Sequence, residues 1–245
     1  MNTFPEYHKI QGVYKRDSKG NFIIGDYSLD VFKQLENTVW RWTEKIDGTN
    51  IRIGIDPGVR QVGAAYVLDH EPIIAFGGHH GKSQIHPPLK DYLDHEILQD
   101  AARIQATLTN PVILYGEGYG GKIQSGAVTY GYPRDPSFIV FDIFVPDETN
   151  PLGGYWLDYD KVVGLSASLG LITVPLANLP SSPCGLATLK QAIVDIRWHG
   201  CIGDLGRIRQ PAEGIVGTPL VPLFDRRGHR IITKIKARDF DFLRI

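Results

Sequence analysis

An antiparallel α+β domain is the fold class that the sequence predicts, and three observations lead to it. Short β-branched or aromatic runs recur along the chain, only a few stretches repeat at helical spacing, and 27 glycines with 16 prolines supply many turns. The strand-like runs are 42–55, 61–68, 73–76, 112–115, 138–145, 214–216 and 231–236. Asp56-Pro57-Gly58 and Arg227-Gly228 give turn chemistry between them. Past Pro87-Pro88, read as a stop signal, the apolar residues Leu89, Tyr92, Leu93, Ile97, Leu98, Ala101, Ile104 and Leu108 predict one amphipathic helix over 89–108. Leu186, Leu189, Ile193 and Ile196 predict a second helix, ending near Gly200, and 160–169 is a third. The chain has 245 residues, 42% of them apolar, which suits one substantial core, and the expectation is a single domain over 1–245.

Charge and cysteine usage narrow the function classes. The net charge of -1 excludes a general polycation coating nucleic acid or membranes, so any basic site is local. No stretch approaches the roughly 18 unbroken apolar residues of a spanning helix, and residues 1–10 lack a signal-peptide core. Cys184 and Cys201 alone make no disulfide scaffold, so a cytoplasmic protein without membrane partners is expected.

Five short elements could do chemistry. In Glu44-Lys45-Ile46-Asp47-Gly48-Thr49-Asn50, strand alternation places Lys45 and Asp47 on one face and Ile46 on the other. Such a pair is either a surface ion pair or a nucleophilic lysine, and the second reading needs nearby cations to favour the free amine. Lys234-Ile235-Lys236 supplies two ammonium groups on one strand face, either as protection of an edge strand or as a clamp for phosphate. Residues 221–245 hold seven basic and three acidic residues, a net +4 in a chain of net -1. Tyr115-Gly116-Glu117 places a carboxylate at an expected strand end beside glycines, and its spacing fits no phosphate-binding glycine loop. Phe141, within 138–143, is a core residue or a platform for a purine. Glu213 heads a short apolar strand and suits a hard divalent cation.

In order and spacing, E-K-I-D-G-T-N at 44–50, Y-G-E at 115–117, F-I-V-F-D-I at 138–143, E-G-I-V at 213–216 and K-I-K at 234–236 resemble the motifs of the covalent nucleotidyltransferases, the polynucleotide ligases and mRNA capping enzymes. Within that superfamily the chain is most similar to ATP-dependent, nick-sealing RNA ligases of the phage type. The Gly116-Glu117 stretch followed by Ile123-Gln124, and Arg227-Gly228 leading through Arg230 to Lys234, support that choice. The resemblance implies an antiparallel-sheet nucleotidyltransferase domain without an OB-fold or C-terminal helical domain. It also implies RNA repair: joining of 5′-phosphate and 3′-hydroxyl RNA ends, in a nicked duplex or a broken RNA, through a lysyl-AMP intermediate and an adenylated 5′ end. The cofactors implied are ATP and Mg²⁺ or Mn²⁺, and an accessory partner is left open.

By the same resemblance Lys45 is the nucleophile, and Lys234 and Lys236 grip the α-phosphate. Glu213 holds the metal, with Asp47 beside it. Glu44, Ile46, Asn50, Lys82, Glu117 and Phe141 contact the nucleotide, with Asn50 and Glu117 on the ribose and Phe141 on the adenine. Arg226, Arg227, Arg230 and Arg238 are expected to follow RNA phosphates, motivated by the basic 221–245 segment. Three departures stand out. Lys82 occupies the place of an arginine in a K-R-T element, the 53–81 stretch is long enough for an extended hairpin, and Gly217-Thr218 replaces a basic residue after E-G-I-V. A GTP-dependent guanylyltransferase, a non-catalytic module that holds RNA ends, and a DNA-only ligase remain as other readings. His79, His80, His86, His199 and Cys201 lack zinc-ligand spacing, and Trp40, Trp42, Trp156 and Trp198 read as packing residues.

Overall fold

The computed structural model describes residues 5–78, 85–98, 100–124, 135–177 and 213–239. The chain divides into two compact units. The first comprises 1–7, 47–128 and 132–173, and the second 8–46, 129–131 and 174–245, so the boundary falls between Ile46 and Asp47.

The second unit contains β1 (Gln11–Gly12), β2 (Tyr14–Arg16), β3 (Phe22–Tyr27), α1 (Asp30–Gln34) and β4 (Trp40–Lys45). The strands β12 (Gly214–Pro219) and β13 (Thr233–Lys236) complete it among the described residues. Four of these strands form a sheet in the order β1-β13-β12-β4, antiparallel except where β1 runs parallel to β13. Alternation along β4 buries Trp40, Trp42 and Glu44 and leaves Arg41, Thr43 and Lys45 half-buried. Trp40 and Trp42 stack with centroids 6.0 Å apart and join Val13, Phe22, Phe32, Ile215 and Ile235 in the core, as packing residues should. Gly217 lies opposite Trp42, and a Cβ there would strike the indole ring, which explains why this strand carries no basic residue at that position.

In the first unit lie β5 (Thr49–Asp56), β6 (Val59–Val62), β7 (Ala65–Leu68), β8 (Ile73–Gly77), β9 (Val112–Gly120), β10 (Pro136–Pro146) and β11 (Gly154–Trp156). Its helices are α2 (Pro87–Leu98), α3 (Ala101–Thr107) and α4 (Tyr159–Ser168). A five-stranded antiparallel sheet has the order β11-β10-β9-β5-β8, and β6 with β7 forms a separate hairpin. Ile51, Ile53, Leu114, Phe138, Val140 and Ile143 pack with Leu89 and Leu93 of α2, Ile104 of α3 and Val162 of α4 on one sheet face. Gly118 makes room for α2, because a Cβ there would overlap the Leu89 side chain.

Several expectations from sequence are corrected. The 42–55 run is two strands in two sheets: β4 stops at Lys45 and β5 starts at Thr49. Gly48 permits the bend, since a Cβ would collide with the Gly118 carbonyl oxygen and lie 2.8 Å from Glu117 Cγ. The 89–108 helix is two helices. Asp100 opens the second by accepting a hydrogen bond from the Arg103 backbone N–H at 2.8 Å. Pro87 starts α2 instead of stopping the chain, because a first-turn proline loses no intrahelical bond. The 61–68 run is a hairpin that turns at Gly63 (φ 64°), in the stretch expected to be extended. The third helix forms at 159–168, and the expected helix over 186–196 lies outside the described residues.

Candidate active site

In the second unit the register aligns the chemistry. Lys45 pairs with Gly214 and Gly214 with Lys236, so one row across β4, β12 and β13 reads lysine, glycine, lysine. The next row on the same face is Thr43, Val216 and Lys234. Paired residues share a sheet face, which places Lys45, Lys234 and Lys236 together opposite the tryptophan core. Gly214 is sterically required: a Cβ would overlap the Ile235 carbonyl oxygen and lie 2.7 Å from Lys236 Cα. Glu213, just before β12, sets its carboxylate between the two lysines. Its Oε2 accepts from Lys45 Nζ at 2.6 Å and its Oε1 from Lys236 Nζ at 2.6 Å. All three side chains are mostly buried, at 16–22% exposure, so the pairs are shielded from solvent.

The backbone around this triad is fixed. Glu213 O accepts from Ala237 N at 2.8 Å, extending the β12–β13 ladder. Asp239, 5% exposed, accepts from Lys236 N and from Arg16 Nη2, both at 2.8 Å, and so ties the end of β13 to β2. Burial alone would raise the Glu213 pKa, but the charges and hydrogen bonds of Lys45 and Lys236 outweigh it and hold the carboxyl below its ordinary range. For Lys234 burial pushes the amine down, and the charges of Lys45, Lys236 and Lys9 push the same way against Glu213. Three lysines facing one carboxylate leave a local excess of positive charge, which favours an oxyanion such as a phosphate.

In the first unit the face away from the helices is aromatic and polar. Asn50, Glu117 and Ile139 form one cross-strand row, and Arg52, Tyr115 and Asp142 another. A β-bulge between Val140 and Asp142 inserts Phe141, so that Phe141 and Asp142, although consecutive, both reach this face. Tyr7 lies on it, its ring 5.0 Å from Phe141, 5.2 Å from Tyr115 and 5.6 Å from Trp156, and its hydroxyl donates to Asp142 Oδ2 at 2.7 Å. Buried Arg52 donates to the carbonyls of Gly78 and Pro5, and the Tyr115 hydroxyl also donates to Pro5 O, at 2.9 Å.

The structure thus brings Lys45, Glu213, Lys234 and Lys236 together, and separately aligns Asn50 with Glu117. Glu117 is inside β9, not at a strand end: the strand continues through its glycines because Gly116 packs under Phe138, where a Cβ would clash. Glu44 is buried on the face of β4 opposite Lys45 and Ile46 is buried just past the strand, whereas half-buried Asp47 sits in the bend before β5. The expected alternation of Lys45 with Asp47 along one strand therefore does not form. Arg226, Arg227 and Arg230 share the hairpin between β12 and β13, whereas Arg238 follows the far end of β13. Lys82, His79, His80, His199, Cys201 and Trp198 lie outside the described residues. Sequence reading missed Tyr7, Arg52 and Asp142, whose partners are up to 135 residues away. Among the described residues no group of three or more His, Cys, Asp or Glu side chains could hold a metal by itself, and no helix is long and apolar enough to cross a membrane.

Comparison with solved structures finds the same sheet-dominant α+β fold in Naegleria gruberi RNA ligase. A point variant of that enzyme with AMP and Mn superposes with a TM-score of 0.55 at 14% identity, covering 86% of this chain and 53% of that one. Another variant, with ATP and Mn, also gives 0.55 at 14% identity, covering 100% and 62%. The chain thus spans about half to three fifths of the length of those structures. No curated protein sequence matches it. The family model for RNA ligase matches residues 38–236, a span that holds both the lysine face and the Asn50–Glu117 row, and the chain belongs to the RNA ligase family.

Proposed function

We propose that the chain is an ATP-dependent RNA ligase that joins a 5′-phosphate to a 3′-hydroxyl end through a lysyl-AMP intermediate and an adenylated 5′ end. The observation that carries this reading is the Lys45–Glu213–Lys236 triad with Lys234 on the same face. In the first step the Lys45 amine attacks the α-phosphorus of ATP, a nitrogen–phosphorus bond forms, the bond to the β-phosphate oxygen breaks, and pyrophosphate leaves with its electron pair. The adenylyl group then passes to the 5′-phosphate, and a 3′-hydroxyl displaces AMP.

The residues explain how this chemistry could be held in check and released. An ammonium that donates to Glu213 has no free electron pair, so the pairing at 2.6 Å is a resting arrangement. Drawing Glu213 away frees the Lys45 nitrogen from its acceptor and leaves it beside Lys234 and Lys236, on the face where a phosphate would be held. Glu213 offers a hard carboxylate oxygen of the kind Mg²⁺ or Mn²⁺ takes alongside water and phosphate, and such an ion when bound neutralises phosphate charge. Lys234 and Lys236 are assigned to the α-phosphate. In the other unit Asn50 and Glu117 are assigned to the ribose and Phe141 to the adenine, with Tyr7 and Asp142 fixing the Phe141 ring. Arg226, Arg227, Arg230 and Arg238 are assigned to RNA phosphates, and the whole chain to one adenylyltransferase domain of the phage-type subfamily.

The test is covalent labelling with α-labelled ATP or GTP and a divalent metal, read on a denaturing gel. Labelling by ATP that is acid-labile, reversed by pyrophosphate and lost in Lys45→Ala supports the reading. Labelling by GTP alone assigns the chain to capping chemistry. No label, from protein shown by mass to be free of AMP, leaves a module that holds RNA ends.

A further inference from the structure

The hairpin joining β12 to β13 carries an aromatic residue that the ligation chemistry does not employ. Asp225 N donates to His229 O at 2.8 Å and Ile231 N to Leu223 O at 2.9 Å, so Phe224 and Arg230 stand directly opposite each other. Ile231 packs against the core of the second unit, which turns the Phe224–Arg230 pair to the other side of the hairpin. There Phe224 is 45% exposed, with Leu220 at 44% and Val221 at 70% on the same connection. At the tip Gly228 takes φ 80°, and Arg226 and Arg227 are exposed. The carboxylate of this hairpin, Asp225, is engaged within the turn, accepting from Arg227 N at 2.8 Å and His229 N at 2.9 Å and facing the His229 ring at 3.2 Å. The hairpin thus presents an exposed ring and two exposed guanidinium groups, with half-buried Arg230 directly across from the ring, while its own carboxylate is turned to the backbone.

We infer that this hairpin binds an unpaired RNA strand, with a base stacked on Phe224 and the flanking phosphates on Arg226, Arg227 and Arg230. A ring can stack only on a base that is not already stacked in a helix, so the arrangement selects single-stranded RNA over duplex. The inference rests on the RNA ligase reading and deepens it: the substrate would have an unpaired segment beyond its junction, as in a broken loop. Gly214 pairs with Lys236 at one end of the β12–β13 ladder, and the Phe224–Arg230 pair lies beyond the other end, within about 20 Å of Lys236 along the strand. An RNA bound there would extend past the joined ends.

The experiment measures fluorescence anisotropy of the full chain with oligoadenylate, the same strand carrying abasic residues, and a blunt RNA duplex. Phe224→Ala should bind oligoadenylate about five- to tenfold more weakly, with duplex binding unchanged and Phe224→Trp restoring affinity. Abasic RNA should bind the wild-type chain as weakly as oligoadenylate binds the alanine variant. Arg226→Ala with Arg227→Ala should flatten the salt dependence by about 0.7 in log–log slope for each phosphate no longer neutralised. Equal binding of oligoadenylate by wild type and Phe224→Ala, or an equal loss on duplex, would overturn the inference. Labelling with ATP on the same samples separates the two ideas. An adduct formed equally by wild type and Phe224→Ala, with unchanged RNA binding, sinks this inference alone, whereas a wild-type chain that never labels sinks the ligase reading.

Discussion

The lysine face of the four-stranded sheet and the aromatic face of the five-stranded sheet are assembled by opposite means. On the first, strand alternation and register put three lysines on one side, and one carboxylate just before the strand between two of them reaches both. On the second, alternation from helix-facing Val140 sends Phe141 to the open side, and only a bulge keeps the next residue, Asp142, on that face, where a distant tyrosine hydroxyl donates to it. The first face gathers unbalanced charge, whereas the second is held by ring contacts and hydrogen bonds, on which salt should have little effect.

The sharpest break in this comparison is Lys45→Ala. The side chain is half-buried and its strand is held by backbone pairing, so the fold should survive while covalent labelling by ATP disappears altogether. Residual labelling above background would show that another residue is the nucleophile. Next in size is Gly214→Ala. The added methyl meets backbone atoms of Ile235 and Lys236 that have no rotamer to escape into, and the expected cost is about 2–3 kcal/mol, read as a fall in denaturation midpoint. A midpoint unchanged from wild type would mean that the β12–β13 ladder opens without penalty.

How much of this was legible in the sequence follows the same division. Lys45, Glu213, Lys234 and Lys236 could be read because period-two alternation and short motifs are local, and the structure joins them as strand neighbours. The break after Lys45 could not, because Gly48 is needed only to clear the Gly118 carbonyl, which lies 70 residues further on. The split between α2 and α3 was hidden for a similar reason. The apolar periodicity continues through Asp100, whose capping role depends on the backbone and not on the pattern. Tyr7, Arg52 and Asp142 gave no signal, since each acquires its meaning from a partner far away in the chain.

A milder probe of the charged face is acidification. Glu213 has a depressed pKa in the folded chain, so its stabilising effect is fully present above the ordinary glutamate value of 4.5 and is lost as pH falls through the lower folded value. The depressed Lys234 pKa acts in the other direction: its charged form is disfavoured in the fold, and that penalty is relieved as pH rises through its lowered value toward the ordinary 10.5. Denaturation midpoints measured against pH should therefore drop on the acid side, and Glu213→Gln should flatten that drop. A variant curve parallel to wild type below pH 4.5 would show that Glu213 is not the group responsible.

The smallest expected effect sharpens the other half of the comparison. Tyr7→Phe keeps the ring beside Phe141, Tyr115 and Trp156 but removes the hydroxyl that donates to Asp142 at 2.7 Å, at a cost of about 1–2 kcal/mol because the acceptor is a carboxylate. If this hydrogen bond fixes the ring used for adenine, the variant should need a few-fold more ATP for half-maximal labelling while reaching the same final extent. That shift should be the same at low and high salt, because the ring holds its base by contact and not by field. A change in ATP requirement that grew with falling ionic strength would mean that the aromatic face also works through charge, and the distinction between the two faces would fail.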